Sequence, residues 1–120
     1  MPLTYTKVNR REEVSREEVE LKPYDHWGMF TSAGNRRLRT LAQQLLDKME
    51  KETDHLARQQ LIVWYLKKIN KVSSFETYSE ASDTAVREYI WDFIVKVCGC
   101  VDISTGTADD LWEKYYRPEY

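Results

Sequence analysis

Glycine and proline are scarce: the chain has 4 Gly and 3 Pro in 120 residues, and neither occurs between Asn35 and Cys98. Architectures built from many short strands need turn residues at close intervals, so an all-β sandwich or barrel is excluded and long helices are indicated. Cysteine is almost absent. Cys98 and Cys100 are separated by one residue and cannot staple distant segments, which excludes the disulfide framework of a small secreted domain. No apolar run approaches the length of a membrane span, and Met1 to Tyr5 lacks the basic then apolar order of a signal peptide. A soluble protein of the reducing cytoplasm, not bound to membranes, is expected. An excess of one charge is missing too, since 18 basic and 20 acidic side chains leave a net charge of −2. No global field draws the protein to phosphate backbones or anionic lipid, and contact with nucleic acid would require a local basic patch.

Apolar material is plentiful, at 42% hydrophobic residues with 8 Tyr and 4 Trp. That is enough to offset the entropy of ordering a chain of this length around one core. Residues 1–23 read as a charged N-terminal arm or weak helix, because Asn9 to Glu20 (NRREEVSREEVE) offers only Val14 and Val19 to a core. A short helix over Arg10–Leu21 would gain from Glu12 and Arg16 at i,i+4 and lose from Glu13 and Glu17 at the same spacing. Residues 24–120 read as the helical domain, opening with an aromatic loop from Tyr24 to Phe30.

The first helix is expected from Ser32 or Gly34 to Glu52, with Leu38, Leu41, Ala42, Leu45, Leu46 and Met49 within an arc of roughly 140°. A second, from Asp54 to Lys71, is apolar on every side through Leu61–Leu66 and has to be surrounded. A loop follows, with Thr77 or Ser79 able to cap a third helix and Glu80 completing a capping box with Thr77. That helix reaches Cys98. It carries Ala81, Ala85, Val86, Tyr89, Ile90, Phe93 and Val97 on one face and Trp91 and Val95 almost opposite, so two packing partners are implied. Gly99 is the expected stop, and Thr107 with Asp110 opens a last short helix ending before Pro118. The fold class is therefore all-α, a small bundle of about four helices with a charged N-terminal arm.

Few residues suggest chemistry. Glu52 and His55 have the Glu-x-x-His spacing of di-iron bundles, but the first helix's stripe contains no acid to complete such a site. Asp25, His26 and Trp27 offer a His beside a carboxylate, with no nucleophile placed near it. Cys98-Gly-Cys100 is tighter than a zinc C-x-x-C, and no second Cys/His pair exists to complete it. Glu17 and Glu20, with Glu13 nearby, have an E-x-x-E spacing that resembles one half of the Mg²⁺ site of the MazG-like nucleotide pyrophosphohydrolases. The other half of that pattern is E-x-x-D. Glu88 and Asp92 are spaced by four and depart from it, so membership is not claimed. No cofactor, metal or catalytic residue is assigned.

Two clusters point to binding instead. Arg36, Arg37 and Arg39 open the first helix and Lys67, Lys68 and Lys71 end the second, so an antiparallel hairpin would bring them to one end as a phosphate-contacting patch. Trp91, Val95, Trp112, Tyr115 and Tyr116 form an aromatic set suited to an interface. The leading expectation is a non-enzymatic helical protein–protein interaction module, self-associating through that aromatic set, whose partner is another protein or a second copy. A nucleic-acid-binding regulator using the Arg/Lys patch and a Mg²⁺-dependent pyrophosphohydrolase are the alternatives.

Overall fold

A computed structural model of the chain describes residues 3–8, 14–18, 32–75 and 83–117. Its elements in order are β1 (Thr4–Val8), β2 (Val14–Glu18), α1 (Ser32–Lys51), α2 (His55–Phe75), α3 (Asp83–Cys100) and α4 (Thr105–Tyr115). The four helices form the small all-α bundle expected. The aromatic loop, including Asp25, His26 and Trp27, and the caps proposed at Thr77 and Ser79 lie outside the described residues.

α1 follows its one-sided pattern closely. Leu38, Ala42, Leu45, Leu46 and Met49 are buried, while Gln43, Asp47 and Lys51 are exposed. Leu41 is the exception within the stripe, being only half-buried. A tight turn joins α1 to α2, and its polar groups are locally satisfied. The Asp54 carboxylate accepts from the Ala57 backbone N–H at 2.9 Å and so caps α2, while a Glu52 carboxylate oxygen accepts from the Asp54 N–H at 3.0 Å. Arg58 adds a 2.7 Å hydrogen bond from Nε to the Glu52 carbonyl, closing the turn from the α2 side.

α2 is enclosed as its all-round apolar middle demands. Ile62, Val63, Tyr65, Leu66 and Ile69 are buried, and the helix packs against α1 on one side and α4 on another. Tyr65 also meets Phe93 of α3 with ring centroids 5.6 Å apart. α2 continues to Phe75 rather than ending at Lys71, since no Gly or Pro interrupts Val72–Phe75.

α3 finds its two partners within the chain. Ile90, Phe93, Ile94, Val97 and Cys98 are buried in the core, and the helix packs against both α4 and β1. Gly99 does not stop it. The helix runs through Gly99 to Cys100, and the reversal comes at Asp102, whose φ of 59° is left-handed. The Ile103 N–H reaches back to the Cys98 carbonyl at 3.0 Å, the six-to-one bond of a Schellman motif with Asp102 at C′ and buried Ile103 at C″. α4 then begins at Thr105, two residues before the expected Thr107. Its cap is Ser104, whose hydroxyl accepts from the Thr107 N–H at 3.1 Å and donates to the Thr107 hydroxyl at 3.0 Å.

Part of the N-terminal arm is described. Residues 14–18, where a weak helix was one expectation, are extended and pair antiparallel with residues 4–8 in the register Thr4↔Glu18 to Val8↔Val14. Two-stranded hairpins are marginal alone. Here β1 lies against α3 and Leu3 packs on the core, so tertiary contact supports the pair.

Candidate basic groove between the first two helices

Helical phase places Arg36, Arg37, Thr40, Leu41 and Gln44 along one strip of α1, since they recur at intervals of three and four residues. Lys68 and Lys71 stand one turn apart on α2. Because the two helices run antiparallel, the start of α1 lies beside the end of α2, and these seven residues line a single open groove of about 570 Å³. The juxtaposition inferred from the basic clusters is therefore present for Arg36, Arg37, Lys68 and Lys71. The other two cations lie apart. Arg39 is exposed roughly 130° away from the middle of the α1 strip at 100° per residue. Lys67 turns toward α4, with Nζ 5.7 Å from the ring centre of Tyr115.

The groove's chemistry is one-sided. Four cations, an amide and a hydroxyl line the groove together with Leu41, and no Asp or Glu belongs to its described lining. Sequence reasoning found the cations and missed Leu41, Thr40 and Gln44. Leu41 was absorbed into the core stripe, although its place at the edge of that stripe marks it as the residue nearest the charged strip.

The aromatic set behaves differently. Trp112 and Tyr116 are buried, stacked on each other with centroids 3.9 Å apart, and Trp91 meets Trp112 edge-on at 5.2 Å. Trp91, Val95 and Tyr115 are half-buried. Tyr115 is flanked by Lys67 and Lys114, the latter 5.3 Å from its ring centre. Val95 borders a smaller hollow of about 340 Å³ between the end of α3 and the start of α4, together with Cys98, Ile103 and Ala108. Much of this set is thus packed within one chain.

The remaining constellations are dispersed. Glu52 sits in the turn and His55 begins α2, so a helix break separates the Glu-x-x-His pair. Asp92 is ion-paired to Lys96 at 3.1 Å, and Glu88 is exposed. Glu17 lies on an extended strand, and Glu20 lies outside the described residues. Among the described residues no group of three or more His, Cys, Asp or Glu is placed to hold a metal ion. Both thiols are free and protonated at neutral pH: burial, then the neighbouring Cys100, pushes Cys98 up to about 12, and burial pushes Cys100 up to about 11. Among the described residues no helix is long and apolar enough to cross a membrane.

No family model, curated protein or solved structure matches the chain. The groove's own geometry is what remains to indicate a function.

Proposed function

We propose that the chain is a non-enzymatic helical interaction module of the cytoplasm that seats an anionic segment of a partner protein in the α1–α2 groove. The observation that carries this reading is the convergence of Arg36, Arg37, Lys68 and Lys71 around one concavity whose described lining holds no carboxylate. The groove supports a partner-binding role better than the aromatic set does, because Trp112 and Tyr116 already have partners inside the chain. For the same reason the free chain is proposed to be monomeric, in place of the self-association that the sequence favours.

A titration of ¹⁵N-labelled protein with poly-L-glutamate tests the site. Amide shifts are expected to move along residues 36–44 and 68–71, and the movement should vanish in the Arg36→Glu/Lys68→Glu double variant. Shifts confined to α3 and α4 would assign binding to the aromatic set instead. Mg²⁺-dependent turnover of nucleoside triphosphates, lost in Glu17→Gln, would replace the reading by an enzyme.

A further inference from the structure

We infer that the segment seated in this groove is acidic and amphipathic, with one apolar side chain packed on Leu41 between carboxylates held by Arg36 and Lys68; this rests on the groove reading above. Five of the six apolar residues of the α1 stripe are buried in the core, and only Leu41 is left half-buried, facing the groove with Arg36 and Arg37 on its own helix and Lys68 and Lys71 opposite. The apolar stems of Arg and Lys widen that floor while their heads stay in water. Charge alone makes a weak site here. The four cations are exposed, exposed ion pairs each contribute little, and screening over about 8 Å at physiological salt weakens them further. An apolar contact at the centre supplies affinity that salt does not remove.

Two observations favour a short protein segment over a nucleic acid. Setting the four groove cations aside leaves fourteen basic side chains against twenty acidic ones, so the chain as a whole offers a long polyanion no net attraction beyond the groove. The described lining also contains no aromatic ring on which a base could stack. A volume of about 570 Å³ holds a few side chains of an extended segment rather than a broad flat surface.

Fluorescence anisotropy with three labelled probes tests the inference: a peptide of Asp and Glu around one central Leu, the same peptide with Ser in place of that Leu, and a single-stranded oligonucleotide of equal charge. The Leu peptide is expected to bind roughly tenfold tighter than the Ser peptide at physiological salt, in keeping with burial of one aliphatic side chain. Leu41→Ser should remove that gap and leave the Ser peptide's affinity in place. Thr40→Leu, a second variant at an exposed groove position, should widen the gap. Equal binding of the two peptides to the native protein overturns the role of Leu41 while leaving the groove reading intact. Peptide affinities unchanged by Arg36→Glu/Lys68→Glu overturn the groove itself, as does the absence of any peptide binding. An oligonucleotide that binds tighter than both peptides overturns the protein partner.

Discussion

Asn70 is a buried polar residue that fastens the C-terminal end of the chain to α2. Its Nδ2 donates to the Tyr115 carbonyl at 2.8 Å, and its Oδ1 accepts from the Arg117 N–H at 2.8 Å. The Tyr115 carbonyl is one that the helix end leaves open and the Arg117 N–H follows the cap, so one side chain satisfies a backbone acceptor and a backbone donor. Asn70→Ala should destabilise the fold by about 1–3 kcal/mol, because both backbone groups lose their partner at a half-buried site. Urea denaturation read by circular dichroism checks the value. Cys98 makes a different prediction at the same scale. An unfolded thiol ionises near 9.0, whereas the folded one holds its proton to about 12. Below pH 9 the folded and unfolded thiols bind the same proton and contribute no slope. From pH 9 to about 12 the unfolded state ionises first, so this residue makes stability fall as pH rises. Cys98→Ala should therefore show a shallower loss of urea midpoint between pH 8 and pH 10 than the native chain. None of this was visible in sequence: Asn70 lies 45 residues from Tyr115, and no local pattern announces such a clasp.

At the level of elements, what could be read depended on how one-sided each helix is. α1 was placed nearly to its ends because its stripe and its charged face alternate cleanly. α2 was recognised as surrounded, yet a segment apolar on every side says nothing about which neighbour lies where. The strands were missed because five-residue segments are too short for a firm periodic signal and VSREE is mostly polar, and because β1 is supported by its contact with α3, which no local pattern announces. The turn from α3 to α4 misled in an instructive way. Gly99 has the residue type that favours a left-handed stop, but it sits inside the helix with open space where a Cβ would be. Asp102 takes the left-handed position instead, at a steric cost that glycine avoids. Asp102→Gly should stabilise the protein by about 0.5–1 kcal/mol, raising Tm by a few degrees in a thermal melt. A fall in Tm would mean that the Asp side chain supports the turn by more than its backbone strain costs.

For the molecule as a whole, the proposed monomeric state rests on the distribution of apolar surface, and the proposed partner on the distribution of charge. Two helices apolar on more than one side make it difficult for 120 residues to cover their own surface, and either a second copy or the final helix and the aromatic loop would relieve this. Within the chain α4 and β1 both pack on α3, and Trp91, Trp112 and Tyr116 pack on one another. Of the aromatic set and Val95, the half-buried edges of Trp91, Val95 and Tyr115 stay open to solvent. The basic groove, by contrast, could be anticipated from sequence alone, because antiparallel neighbours joined by a short turn must bring the start of one helix to the end of the next. Light scattering on the purified protein should accordingly give a mass of 14.3 kDa, with an absorbance ratio at 260 and 280 nm free of nucleic acid. Twice that mass, reduced to a monomer by Trp91→Ala without loss of helicity, would return the aromatic edge to the role of interface. A nucleic-acid signal that disappears in Arg36→Glu/Lys68→Glu would keep the groove as the site and change its ligand.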